Sequence, residues 1–102
     1  MNGADLADLG HVHIVGIGGA GMSGIARVLA ARGVHVTGSD AKESRRVQSL
    51  RALGIEVSVG HQKSITADTL VYSTAIQESN SERRFAREHS IPEMSRAPAM
   101  AS

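Results

Sequence analysis

The sequence has 102 residues and a mass of 10.7 kDa, which leaves room for one domain with one hydrophobic core. Its 11 basic and 10 acidic side chains give a net charge of +1 without a basic stripe, and only Tyr72 and Phe85 are aromatic, which argues against a nucleic-acid partner. The pairs Arg45–Arg46 and Arg83–Arg84 lie on mixed segments that predict solvated helix faces. The absence of cysteine excludes disulfides, thiolate metal sites and a cysteine nucleophile.

The first ten residues predict a flexible leader at 1–10. This segment has two acids and no basic region, so it is not typical of a secretory signal. No apolar run approaches the roughly 18 residues that a membrane span needs. We therefore expect a cytoplasmic protein without a membrane partner.

Short β-branched runs alternate along the chain with amphipathic segments. The runs predict strands, at residues 11–16, 34–38, 55–60, 69–73 and 91–94. The amphipathic segments predict helices, over residues 22–32, 44–53 and 82–89, the first two stopped by Gly33 and Gly54. Residues 61–68 are too few for a full helix and predict a turn or one helical turn. Pro92 favours the beginning or the edge of the last strand.

This order of elements predicts an α/β fold. Strands joined by right-handed crossovers form a Rossmann-like parallel five-stranded sheet of order 3-2-1-4-5, with helices on both faces. We expect the domain to span residues 11–95 and residues 96–102 to be the truncated start of a following helix.

A glycine-rich turn follows the first strand and opens the first helix. Gly16, Gly18 and Gly21 have the G-x-G-x-x-G spacing, and Asp40 ends the next strand. In such a turn the first glycine permits a tight bend, the second lets a ligand approach the backbone, and the third allows close packing of helix on strand. The amino-terminus of the helix then suits a diphosphate. The alternative is that the glycines serve close packing alone.

Further polar residues end the neighbouring strands at the same edge of the predicted sheet. Asp40 can accept a ribose hydroxyl, although it could instead cap the helix that begins near Ser44. Ser39 could add a donor, and His61 and the segment 73–76 follow the third and fourth strands into the same cleft. No pair of histidines has helical metal-ligand spacing, so we predict no metal site.

The run HVHIVGIGGAGMSGIARVL, followed by VTGSD and by STAI, strongly resembles the amino-terminal domain of the Mur ligases. The resemblance covers roughly residues 11–100. It implies a Rossmann-like domain that binds the UDP part of UDP-N-acetylmuramate and not NAD. By resemblance, the positions for this ligand are Gly16, Gly18, Gly19, Ala20, Gly21, Met22, Ser23, Gly24, Ser39, Asp40, His61, Ser73, Thr74, Ala75 and Ile76.

The resemblance also implies parts that this sequence does not contain. Mur ligases hold ATP and Mg²⁺ at a G-T-H-G-K-T-T type P-loop in a second domain, and no G-K-[ST] occurs here. We therefore expect no cofactor in this chain, a parent enzyme that uses ATP and Mg²⁺, and central ATP-binding and carboxyl-terminal domains as partners. The chain alone should bind its substrate and not catalyse a reaction.

Two alternatives of other classes fit the glycine spacing. One is an NAD-binding regulatory module of the potassium-uptake type, and the other is a fragment of an NAD(P)-dependent oxidoreductase. Asp40 permits the first, whereas the five glycines between residues 16 and 24 argue against it. The second would need a catalytic domain that this sequence does not contain. Titration with UDP-N-acetylmuramate and with NADH would separate them.

Overall fold

The computed structural model describes residues 10–60 and 64–96. These ranges contain five strands and three helices. The strands are β1 (Val12–Val15), β2 (Val36–Asp40), β3 (Glu56–Val59), β4 (Thr69–Ser73) and β5 (Glu93–Arg96). The helices are α1 (Ala20–Ala31), α2 (Arg45–Ala52) and α3 (Ser81–Glu88). None of these helices has the length and apolar character needed to cross a membrane.

All five strands form one parallel sheet of order β3-β2-β1-β4-β5, which confirms the predicted topology. Val15, the last residue of β1, pairs with Ser39 of β2 and with Tyr72 of β4. The carboxyl ends of the three central strands therefore meet at one edge. The chain leaves β1 towards β2 but later returns to its other side as β4, which makes this edge a topological switch point.

Helices cover both faces of the sheet, as predicted. On one face α1 and α2 bury a large aliphatic cluster that includes Ile14, Met22 and Leu50. On the other face a smaller cluster joins Val15 and Leu70 to Ala86 of α3. All four residues of the central strand β1 are buried, which explains its Val and Ile side chains, whereas the edge strand β3 is mostly exposed.

The elements begin and end within two residues of the predicted positions. The first helix begins at Ala20, directly after the glycine turn, because Gly19 takes the N-cap position. β5 starts after Pro92 and extends to Arg96, so Arg96 ends a strand and does not begin a following helix. Residues 64–68 form no helix or strand, and the remainder of that predicted turn lies outside the described residues. The predicted leader, apart from Gly10, and the segment 97–102 also lie outside them.

Candidate functional site

A cleft of about 330 Å³ opens at the switch point, between the carboxyl ends of the central strands. Small-molecule sites in proteins are typically about 300–1,000 Å³, so this cleft is large enough for part of a nucleotide. Its lining residues are Gly16, Gly19, Met22, Asp40, Ala41, Ser73, Ala75 and Ile76. No Lys or Arg among the described residues belongs to this lining.

The glycine turn is fastened to β2 by backbone hydrogen bonds. The N–H groups of Gly16 and Ile17 both donate to the carbonyl of Ser39, at 2.8 and 3.0 Å. Gly16 has φ +77, a conformation that a side chain would strain, which confirms its predicted place in a tight bend. The side chain of Ile17 is fully buried and packs over Gly38, where an added Cβ would lie 2.4 Å from its Cδ1.

The three glycines at 18, 19 and 24 meet different surroundings. A Cβ on Gly18 would lie 2.8 Å from Oδ2 of Asp40 and 3.2 Å from Cγ2 of Val47, so a side chain at this position would displace the Asp40 carboxylate that accepts the Gly18 N–H. A Cβ on Gly19 would have its nearest contact at 3.4 Å, an ordinary van der Waals distance. A Cβ on Gly24 would meet nothing within 4 Å. The packing alternative therefore explains Gly18 but not the other two.

The amino-terminus of α1 lacks a side-chain cap. Its N-cap is Gly19, and its first turn contains no acid. By contrast, the Ser44 side chain accepts the Val47 N–H in α2, and Asn80 caps α3 through its side-chain oxygen. The first N–H groups of a helix have no partner within it, and they carry its positive dipole end. The first turn of α1 therefore offers N–H donors that suit an anion.

Asp40 joins the glycine turn to the wall of the cleft. Its Oδ2 accepts the Gly18 N–H at 2.8 Å, and its Oδ1 accepts the Lys42 N–H at 3.2 Å. Ser44 is the residue that caps α2, so the alternative that Asp40 is this cap is wrong. Each carboxylate oxygen can accept more than one hydrogen bond, which leaves capacity for a hydroxyl donor.

The opposite wall is formed by the turn after β4. The Ser73 hydroxyl accepts the Ala75 N–H at 3.1 Å, and the Ile76 N–H donates to the Ser73 carbonyl at 2.9 Å. Thr74 is exposed at the tip of this turn. The Ile76 side chain reaches across to the glycine turn, where a Cβ on Gly16 would lie 3.3 Å from its Cδ1.

Some of the predicted ligand positions lie away from this cleft. Ser39 is fully buried, and its hydroxyl donates to both carboxylate oxygens of Glu82, at 2.9 and 2.8 Å. Ser23 is buried and donates to the Ala20 carbonyl, while Gly24 lies on the exposed side of α1. His61 lies outside the described residues. The ligand roles of these positions stay predictions.

A buried polar cluster lies behind the cleft, and sequence reasoning missed it. Glu82 of α3 is fully buried and accepts from Ser39 of β2, and its Oε1 lies 2.5 Å from Nε2 of His13 in β1. His13 Nδ1 lies 2.9 Å from the Thr37 hydroxyl, and His11 Nε2 lies at the same distance from that oxygen. The cluster links α3 to the two strands whose ends carry the glycine turn and Asp40.

His11 stands at the outer end of this cluster. Its ring stacks on that of His35, with centroids 4.1 Å apart. Burial, followed by the charges of His35 and His13, lowers the pKa of His11 below its ordinary value of 6.5, while Asp68 and Glu56 act in the opposite direction. The imidazole of His11 is therefore held towards its neutral form.

The burial of Arg83 corrects the expectation of a solvated face for the Arg83–Arg84 pair. Arg83 is 8% exposed, with its guanidinium 3.7 Å from the centroid of the Tyr72 ring. Its Nε donates to Glu93 at 2.8 Å, and its Nη1 donates to the Ile76 carbonyl at 3.0 Å. Helical spacing was the available signal for burial, because residues three and four positions apart share a helix face and Arg83 and Glu82 precede the apolar Ala86 by these distances.

The sheet order, the glycine turn and the cleft at the switch point define a Rossmann-like domain. Residues 11–102 match the family described as Mur ligase family, catalytic domain. Over 100 residues the chain is 52% identical to UDP-N-acetylmuramate–L-alanine ligase of Renibacterium salmoninarum, covering 96% of this chain and 22% of that protein. It is 50% identical over 99 residues to the ligase of the same name from Acidothermus cellulolyticus, covering 95% of this chain and 21% of that protein.

Solved structures agree with this relationship. The crystal structure of UDP-N-acetylmuramate–alanine ligase from Thermotoga maritima superposes with a TM-score of 0.81 at 35% identity, over 84% of this chain and 20% of that one. The UDP-N-acetylmuramate:L-alanyl-gamma-D-glutamyl-meso-diaminopimelate ligase from Neisseria meningitides superposes with a TM-score of 0.77 at 30% identity. The superposition covers 85% of this chain and 28% of that one. The chain belongs to the Mur ligase family, and these similarities favour neither NAD-binding alternative.

Proposed function

We propose that this chain is the substrate-binding, amino-terminal domain of an ATP-dependent ligase that adds L-alanine to UDP-N-acetylmuramate in peptidoglycan biosynthesis. The observation that carries the proposal is the uncapped amino-terminus of α1, which borders a cleft at the switch point. The identity of about half of the aligned residues to ligases named for this reaction supports the choice of substrate.

The geometry suits a sugar nucleotide bound through its diphosphate. The diphosphate would accept the N–H groups of the first turn of α1, where Gly19 offers no competing side chain. Asp40, on the β2 side of the cleft, would accept a hydroxyl of the nucleoside, and Ser73 to Ile76 would line the other side. Met22, Ala41 and Ala75 would exclude water from the bound group.

The chain spans about a fifth of the length of the curated relatives that it matches. Within the described ranges no group of three or more His, Cys, Asp or Glu side chains could hold a metal ion. The sequence also offers no P-loop lysine for ATP. We propose that ATP, Mg²⁺ and the alanine are held by central and carboxyl-terminal domains of a full-length enzyme in the cytoplasm, and that this chain alone does not hydrolyse ATP.

Calorimetric titration of the chain tests the proposal. UDP-N-acetylmuramate and UDP should both bind, because they share the UDP group, whereas NADH should not bind. Gly19→Ala should weaken binding of both nucleotides about tenfold while the domain stays folded, because its Cβ meets the protein only at ordinary distances but adds bulk in the cleft.

Val28→Ala is the matched control, because Val28 is 50% exposed on the same helix and away from its amino-terminus. This variant should bind like the wild type. Tighter binding of NADH than of UDP-N-acetylmuramate would contradict the proposal, as would equal affinities of wild type and Gly19→Ala for UDP.

A further inference from the structure

The first turn of α3 contacts both walls of the cleft without lining it. Asn80 caps this helix by accepting the N–H groups of Glu82 and Arg83, which fixes the position of the turn. The side chains of these two residues then leave the helix towards different walls. They are nevertheless both buried, at 0% and 8% exposure.

Glu82 acts on the wall that carries the glycine turn. The Ser39 hydroxyl donates one hydrogen bond shared between both carboxylate oxygens of Glu82, and the Ser39 carbonyl in turn accepts hydrogen bonds from the N–H groups of Gly16 and Ile17. Asp40, which holds the Gly18 N–H, is the next residue along β2. A displacement of Ser39 would therefore move the whole glycine turn with it.

Glu82 is also held from the side of β1. His13 Nε2 lies 2.5 Å from Oε1, and the pair is buried, with side-chain exposures of 8% and 0%. Hydrogen bonds to a buried carboxylate are stronger than those between neutral groups, and their geometry is correspondingly restrictive. The position of the carboxylate is thus fixed by β1, which leads into the glycine turn, and by β2, to which that turn is hydrogen-bonded.

Arg83 acts on the opposite wall. Its guanidinium donates to the Ile76 carbonyl and to Glu93, and its Cζ lies 3.7 Å from the centroid of the Tyr72 ring. Ile76 lines the cleft, and its carbonyl belongs to the turn after β4. The planar fork of arginine can span two acceptors in fixed directions, which a lysine cannot do.

We propose that Glu82 and Arg83 are positioning residues for the sugar-nucleotide site: Glu82 sets the glycine turn through Ser39, and Arg83 sets the turn after β4 through the Ile76 carbonyl. The proposal rests on the function proposed above for the cleft. It adds that affinity for the nucleotide is controlled from the far side of the sheet, by residues that do not touch the ligand.

Titration of variants with UDP-N-acetylmuramate tests this inference. Glu82→Ala should lower the affinity about tenfold, and Glu82→Gln only about threefold, because the amide keeps one oxygen that can accept from Ser39. Arg83→Lys should lower it about three- to tenfold, because it keeps the charge beside Glu93 but loses the fork.

The matched control is Ala86→Gly, which loosens the same helix from its buried face and touches none of these hydrogen bonds. It should destabilise the domain and change the affinity by less than about twofold. An affinity loss in Ala86→Gly equal to that in Glu82→Ala would overturn the inference, because α3 would then act only through general stability. Wild-type affinity in Glu82→Gln and in Arg83→Lys would also overturn it, even if Glu82→Ala does not fold.

Amide spectra of the ligand-free variants separate this inference from the proposed function. Glu82→Gln should shift the Gly16 and Ile17 amide signals, and Arg83→Lys should shift the Gln77 amide that follows the Ile76 carbonyl. If the wild type binds no UDP-N-acetylmuramate, the proposed function fails, and these shifts still decide whether α3 positions the two turns. Unchanged signals would contradict the positioning role.

Discussion

Gly19 is the residue at which stability and ligand binding make opposite demands. It occupies the N-cap of α1 with φ −67 and ψ 154, a conformation that Ser, Asp or Asn adopts readily at helix N-caps. A capping side chain would accept the same N–H groups that a diphosphate needs. Glycine therefore leaves the helix less stable than it could be and keeps its amino-terminus open.

We predict that Gly19→Asp stabilises the domain and weakens nucleotide binding. The new carboxylate should cap α1 and interact with its dipole, raising the free energy of unfolding by about 0.5–1 kcal/mol. The same charge should repel a diphosphate and occupy its donors, lowering UDP affinity at least about tenfold. Urea unfolding and calorimetry measure the two effects.

Val28→Asp is the control for Gly19→Asp, because it adds the same charge to an exposed position of α1 far from the cleft. Its UDP affinity should be close to that of the wild type. A destabilised Gly19→Asp protein that binds UDP normally would contradict both halves of the prediction.

At the scale of elements, β2 and the glycine turn are fitted to each other through one glycine. A Cβ on Gly38 would lie 2.4 Å from Ile17 Cδ1 and 2.9 Å from the Ile14 carbonyl oxygen. The Ile17 side chain is fully buried and cannot swing away without displacing the turn. The absence of a side chain at Gly38 in β2 is thus a condition for the position of the glycine turn that follows the neighbouring strand β1.

We predict that Gly38→Ala destabilises the domain by about 1–3 kcal/mol, as overpacked core positions commonly do. Ile17→Val should relieve part of this loss in the double variant, because it removes the Cδ1 atom that lies closest. Urea unfolding of both single variants and the double variant gives the coupling. Strictly additive changes would show that Ile17 and Gly38 do not constrain each other.

The polar cluster between β1, β2 and α3 makes stability depend on pH through His11. Burial and the neighbouring imidazoles of His35 and His13 lower the pKa of His11 from 6.5. In the unfolded chain His11 takes up its proton at a higher pH than in the folded protein. The stabilising difference is therefore fully present above pH 6.5 and is lost as the pH falls through the lowered pKa of the folded state.

We predict that His11→Gln loses less stability than the wild type between about pH 7.5 and about pH 5.5. Because Asp68 and Glu56 raise the pKa of His11 and so oppose its lowering, the difference in stability between the two proteins should be small but measurable. Identical profiles for His11→Gln and wild type would contradict the assignment.

At the scale of the whole molecule, the sheet order and the location of the cleft could be predicted because both follow from local patterns. The alternation of β-branched runs and amphipathic segments determines a parallel sheet; Gly16 directly follows β1, and Asp40 ends β2. What could not be predicted depends on contacts between residues distant in sequence. Ser39 and Glu82 are 43 positions apart, and only the folded sheet brings them together.

The burial of Arg83 also could not be predicted from the sequence. Its segment has the composition of a solvated helix, since five of the eight residues of α3, Arg83 included, are Arg or Glu. In the fold its charge meets Glu93, the Tyr72 ring and a carbonyl, and these partners allow its burial. Composition therefore predicts the helix but not which of its charges are buried.

The central claim is that UDP-N-acetylmuramate binds at the amino-terminus of α1, and an amide-resolved titration of the chain tests it most directly. We predict that the largest shifts occur at Gly19, Ala20, Gly21 and Met22, with smaller ones at Ala75, and that NADH at the same concentration produces none of them. Shifts confined to the opposite edge of the sheet, or the same shifts at lower concentrations of NADH, would contradict the account.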